Sequence, residues 1–135
     1  MGIITVSASP DSVEKVANYI SEQLEKVSCP MKTQMQIGVA VEEIFANIVN
    51  YAYGEETGEV EISVDTEDAP NNVTIVFKDS GIQYNPLEKE DPDITLSSDD
   101  RPIGGLGVFM VKKLMDYVVY RYEEGRNILE IRKAI

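Results

Sequence analysis

The chain has 135 residues, 43% of them hydrophobic, with 12 Lys or Arg against 24 Asp or Glu, a formal net charge of −12. That length and composition fit one folded domain with a single core, while the acidic surplus disfavours nucleic acid and anionic membrane as partners. One cysteine, Cys29, and no histidine exclude an internal disulfide, the usual zinc and iron sites, Ser-His-Asp or Cys-His catalysis and histidine autophosphorylation within the chain. Carboxylates are left as the best general bases.

The opening Met1-Gly2-Ile3-Ile4-Thr5-Val6 lacks a charged segment before its apolar residues and soon turns polar, so no secretory signal is expected. Val6 stands where a myristoylation signal needs Ser or Thr, and no apolar run approaches the roughly 18 residues of a membrane span. A cytoplasmic location is the expectation.

Ile3 to Ser7 alternates weakly and reads as a first strand. Ser9-Pro10 starts a helix, with serine at the N-cap and proline at the first helical position. Val13, Val16, Ala17, Ile20, Leu24 and Val27 keep its period until Ser28-Cys29-Pro30 breaks it. The next helix runs from about Lys32 to Tyr51 and ends near Gly54. Gly58 to Asp65 alternates strictly, as a strand with one wet face should. Asp68 to Asn72 is a turn, and the strand from Val73 to Lys78 returns in a hairpin and delivers Asp79. From Ile82 to Arg101 no period is visible, and the segment is rich in proline and acid. A further helix follows the glycines to about Met115, packing Val108, Phe109, Val111, Leu114 and Met115. Asp116 to Tyr122 is strand-like, Glu123 to Asn127 turns, and Ile128, Leu129 and Ile131 mark a last strand. This order predicts an α+β fold with helices on one face of a mixed, largely antiparallel sheet.

Three stretches carry chemistry. In the second helix, Val41, Ile44, Phe45, Ile48, Val49 and Ala52 form a continuous apolar side. Glu43, Asn47 and Asn50 fall within a roughly 60° arc of it. An amide oxygen there can ligate a hard cation such as Mg²⁺, and a carboxylate one turn away can orient or deprotonate a hydroxyl. A solvated helix face would present the same pattern. Next, Lys78-Asp79-Ser80-Gly81 sets an aspartate at the end of an apolar strand, suited to accept from a ligand amine, although a plain turn reads the same way. Finally, Arg101-Pro102-Ile103-Gly104-Gly105-Leu106-Gly107 leads straight into an apolar helix. It offers bare N–H groups and a positive helix end to phosphate, or simply connects two elements. Its glycine spacing matches neither a Walker loop nor a Rossmann fingerprint.

In order, V-E-E-x-x-x-N-x-x-x-Y-A-Y, D-x-G and G-G-L-G-x-x-x-V-K-K-L-M-D resemble the N, G1 and G2 boxes of the gyrase, heat-shock-chaperone, histidine-kinase and MutL ATP-binding superfamily. Within it the chain is most similar to the small anti-sigma factor serine kinases of bacterial sporulation and stress control. The resemblance covers nearly the whole chain and implies a single histidine-kinase-like ATPase domain over residues 1–135, with the Bergerat-type two-layer sandwich. It implies ATP and Mg²⁺ as cofactors, Asn47 as the metal ligand and Glu43 as the residue that positions or deprotonates the attacking hydroxyl. Asp79 would read adenine, with Gly81 letting the ring approach, and Gly104, Gly105, Leu106 and Gly107 would form the phosphate-facing hinge of a lid over Tyr84 to Arg101. Asn50 and Arg101 are implied as accessory nucleotide contacts.

The chain departs from the superfamily in two places. Gln83 stands where a second glycine is common, and Ile128 to Ile135 contain no Thr or Ser to help Asp79, which turns attention to Thr74 and Ser80. Three functional readings follow from the resemblance. The first is a protein serine/threonine kinase that phosphorylates an anti-sigma-factor antagonist and regulates a sigma factor, with neither nucleic acid nor membrane as a direct partner and a homodimer compatible with it. The second is a nucleotide-gated binding module without transfer. The third is an ATPase or catalytic subunit of a histidine-kinase-like system, against which the absence of histidine counts.

Overall fold

Alternation in Glu59–Asp65 and Asn72–Asp79 dictates which face of the sheet is dry. In the computed structural model, which describes residues 2–53, 58–66, 71–88 and 105–135, Val60, Ile62, Val64, Val73, Ile75 and Phe77 are all buried on that face. The strands are β1 (Gly2–Ser7), β2 (Glu59–Asp65), β3 (Asn72–Asp79), β4 (Tyr117–Glu123) and β5 (Arg126–Ala134), in the spatial order β1-β2-β3-β5-β4. Every pairing is antiparallel, so the sheet expected as largely antiparallel is wholly so among the described strands. Glu123 pairs with Arg126, and the intervening Glu124 and Gly125 have φ of 53° and 76°, the two positive values that a tight hairpin matching the strand twist requires.

Three helices, α1 (Val13–Glu25), α2 (Met31–Asn47) and α3 (Gly105–Leu114), cover the dry face. Val16, Ile20 and Leu24 of α1, and Ile37, Val41, Ile44 and Phe45 of α2, join the sheet residues in one core. Phe45 is fully buried, and its truncation to alanine should cost about 3–5 kcal/mol.

The helix boundaries depart from the sequence reading where backbone geometry overrides it. Ser9 is extended and makes no side-chain cap. Pro10–Ser12 forms a 3₁₀ turn, and the α-helix begins only at Val13. Helix α1 closes with Ser28 in the left-handed region, φ 56°, while the Cys29 N–H donates back to the Leu24 carbonyl at 3.1 Å. Helix α2 starts one residue earlier than expected, at Met31, where the Gln34 side-chain amide donates to the Cys29 carbonyl at 2.9 Å. It then continues as a wider π-helical turn, Ile48–Tyr53, and such turns often mark functional positions.

Candidate functional site

The end of α2 and the end of β3 meet because both are tied to one short turn. Ile82 N–H donates to the Ala52 carbonyl at 2.8 Å. Tyr53 Oη donates to the Glu59 carbonyl at 2.8 Å and accepts from Ser80 N–H at 2.9 Å. Gly81 packs so tightly on this helix end that a β-carbon would collide with the Ala52 backbone and side chain. The glycine is thus required by packing of chain on chain, a reason separate from the ligand approach inferred for it from sequence.

Asp79, the last residue of β3, is 3% exposed. Its Oδ1 accepts from Gly81 N–H at 3.0 Å and from Asn127 Nδ2 at 2.9 Å. Burial pushes its carboxyl above the usual carboxylate range, opposed by the Asn127 and Gly81 hydrogen bonds and by the Arg126 charge. Asn127 is its neighbour in register across β3 and β5. Thr74 and Ser80 do not take that place. Thr74 lies five residues back along β3 on the other face of the sheet, opposite Arg132, and Ser80 is exposed.

Asp79, Asn127 and Asn47 line one apolar-walled cavity, closed by Ile44, Phe77, Leu129 and Tyr120 together with Tyr84 and Pro86. Asn47, half-buried on the last turn of α2, brings the only α2 side-chain amide to it. Glu43, one turn back, points to α3: a β-carbon on Gly107 would collide with Glu43 Oε2. Glu42 is exposed, so the helix register separates the two adjacent glutamates as the polar stripe requires. Asn50 is exposed and outside the cavity lining. The π turn between Ile48 and Tyr53 ends the 100° spacing on which its place in the stripe depended.

Arg101 and Gly104 lie outside the described residues, and of Gly105 and Leu106 only the helical backbone is described. Of the lid expected over Tyr84 to Arg101, residues 89–101 are likewise outside them. Its first residues are fixed to the body of the fold: Tyr84 N–H donates to Asn127 Oδ1 at 3.0 Å, the Tyr84 and Tyr51 rings stack 5.0 Å apart, and Leu87 packs against the core. Among the described residues no three His, Cys, Asp or Glu side chains cluster to hold a metal. Mg²⁺ does not need such a cluster, since it keeps one or two protein oxygens and takes the rest from phosphates and water, and the Asn47 amide at the cavity wall carries an oxygen of that kind.

Sequence reasoning missed Asn127. Its signal was negative only, the lack of a hydroxyl on the last strand, and the residue itself was assigned to the preceding turn.

Comparison with known proteins places this architecture. The profile of the histidine kinase-like ATPase domain matches residues 6–133. The chain is similar to the serine-protein kinase RsbW of Bacillus thuringiensis, 32% identical over 95 residues that make up 67% of this chain and 58% of that protein. RsbW of Bacillus cereus strain AH187 is 30% identical over the same share of each chain. The chain thus spans just over half the length of these relatives. A crystal structure of the RsbU and RsbW domains of a Mycobacterium tuberculosis protein superposes with a TM-score of 0.64 over 99% of this chain and 32% of that one, at 14% identity, a likeness of fold alone. The chain belongs to the histidine kinase-like ATPase domain family.

Proposed function

We propose that the chain is an ATP-dependent protein serine/threonine kinase that phosphorylates an anti-sigma-factor antagonist and thereby regulates a sigma factor. The observation that carries this reading is the placement of three unlike groups around one helix end. Asp79 lies buried at the floor of the cavity, Asn47 lies at its wall, and Glu43 faces the start of α3. The curated relatives named serine-protein kinases support the class of reaction.

Phosphoryl transfer asks the protein for positioning and charge neutralisation more than for covalent chemistry. Asp79 accepts from the exocyclic amine of adenine, which fixes the nucleotide in the cavity. Asn47 would hold Mg²⁺ through its amide oxygen, and the ion would supply neutralisation of the triphosphate charge. The start of α3 presents backbone N–H groups to phosphate. Glu43 takes the proton of the incoming seryl or threonyl hydroxyl as its oxygen bonds to the γ-phosphorus, and the bond to the bridging β–γ oxygen breaks to release ADP.

The test is transfer of labelled phosphate from ATP to the antagonist, identified by sequencing the labelled band from a lysate, with wild type compared against Glu43→Gln and Glu42→Gln. General-base assistance contributes about 10²–10⁴-fold. Glu43→Gln should therefore lose at least the low end of that range with Mg·ATP affinity little changed, and the exposed Glu42→Gln should be nearly silent. Wild type that binds Mg·ATP but transfers no phosphate would instead favour a nucleotide-gated binding module, and transfer undiminished in Glu43→Gln would remove Glu43 as the base.

A further inference from the structure

Asn127 is 5% exposed and uses all the hydrogen-bonding capacity of its amide inside the protein. Its Nδ2 donates to Asp79 Oδ1 and to the Ile82 carbonyl, each at 2.9 Å. Its Oδ1 accepts from Tyr84 N–H at 3.0 Å and from the Tyr120 hydroxyl. An amide with two donors and two acceptor lone pairs is then full, so Asn127 has nothing left to offer a ligand although it lines the cavity. Its partners come from the end of β3, the turn after it, and β4, the first two 43 to 48 residues away in sequence. No hydroxyl side chain at this position could make the same set, because serine and threonine carry one donor hydrogen on a shorter stem.

We infer that Asn127 is the positioning residue of the base-reading site: it ties Asp79 Oδ1 and the Ile82–Tyr84 wall to a single point and thereby commits Asp79 Oδ2 to the amine of a purine. This rests on the nucleotide reading above. Among the described residues both hydrogen bonds to Asp79 fall on Oδ1, which leaves Oδ2 as the oxygen for a ligand. The same two hydrogen bonds, with the Arg126 charge, oppose the upward push of burial on the Asp79 carboxyl. They favour the ionised form that an amine donor needs. The other titratable side chains around this point are the phenols of Tyr53, Tyr84 and Tyr120 and the guanidinium of Arg126.

The variant Asn127→Asp keeps the size of the side chain and removes its donors. Two carboxylates in hydrogen-bond contact cannot both ionise without strong repulsion and hold one proton between them. While that proton is retained, Asp79 remains an acceptor, and when it leaves the pair repels. Calorimetric titration of Mg·ATP from about pH 5.5 to 8.5 should then show wild-type affinity level or falling toward the acid end. Affinity of Asn127→Asp should instead fall about tenfold or more toward the alkaline end. Melting curves at each pH separate loss of fold from loss of affinity.

A ¹³C titration of the Asp79 carboxyl in the free proteins makes the second measurement. Its midpoint should move to higher pH in Asn127→Ala than in wild type, and if one variant fails to fold the other carries the comparison. A merely structural Asn127 would lower the melting temperature while leaving both the affinity profile and the carboxyl midpoint where they are in wild type, and that result overturns the inference. If wild type binds no Mg·ATP, the proposed function falls, while the carboxyl titration still decides whether Asn127 positions Asp79.

Discussion

Gly107 of α3 and Glu43 of α2 are packed so closely that a β-carbon on Gly107 would occupy the place of Glu43 Oε2. The colliding atom is the end of a flexible side chain, so Gly107→Ala can be accommodated by turning Glu43 away, and alanine is a better helix former than glycine. The expected outcome is a melting temperature at or slightly above wild type with phosphoryl transfer reduced about tenfold or more, since the displaced carboxylate no longer meets the hydroxyl. In a Glu43→Gln background, Gly107→Ala should add little further loss of transfer, because both changes remove the same interaction. Additive losses would show that Gly107 acts through something other than Glu43.

Asn47→Ala removes the half-buried amide at the cavity wall and replaces it with a residue of high helix propensity. Nucleotide affinity should drop and, more tellingly, lose most of its dependence on Mg²⁺, while the free protein melts near wild type. Titration of ATP with and without Mg²⁺ by calorimetry checks it; an unchanged Mg²⁺ dependence removes Asn47 from the metal.

Asp79→Asn has a sign that follows from its environment. Burial raises the Asp79 carboxyl above its usual range, so folding favours the protonated form. The stability this contributes is fully present below the usual carboxylate range and is lost as pH rises through the raised value. At neutral pH the wild type therefore bears the cost of an ionised buried group, which asparagine avoids while still accepting from Asn127 and Gly81. Asp79→Asn should melt no lower than wild type at pH 7, and its advantage should shrink as pH falls toward the usual carboxylate range. Thermal melts from pH 4 to 8 test this; a variant markedly less stable at pH 7 would mean that the charge itself holds the site together.

Tyr53 Oη bridges the Glu59 carbonyl and the Ser80 N–H, so Tyr53→Phe leaves a donor and an acceptor without their shared partner. A loss of about 1–3 kcal/mol is expected, measured by denaturant unfolding. A loss near zero would mean that water replaces the hydroxyl at no cost.

Much of the fold was legible because its signals are periodic. The apolar side from Val41 to Ala52 and the alternation from Glu59 to Asp65 both survive as buried faces. Glu43 and Asn47 keep the expected one-turn spacing because both lie within regular α-helix. Asn50 was misplaced because the widening of the helix after Asn47 has no signature in spacing. Ser9 read as a cap because serine before proline is common at helix starts, yet the chain inserts a 3₁₀ turn first. Asn127 escaped notice since its role depends on register between strands 48 residues apart, a long-range fact that local pattern does not carry.

The cavity floored by Asp79 and walled by Asn47 should bind adenine nucleotide, and titration of the wild-type protein with Mg·ATP and Mg·GTP shows whether it does. Guanine presents a carbonyl where adenine presents an amine, which would leave that carbonyl facing the buried Asp79 carboxylate with no hydrogen between them. Mg·ATP should bind and Mg·GTP should be about 10²-fold weaker or worse, with the preference abolished in Asp79→Asn. Equal competition by Mg·GTP in wild type, or a preference for ATP that survives Asp79→Asn, would contradict it.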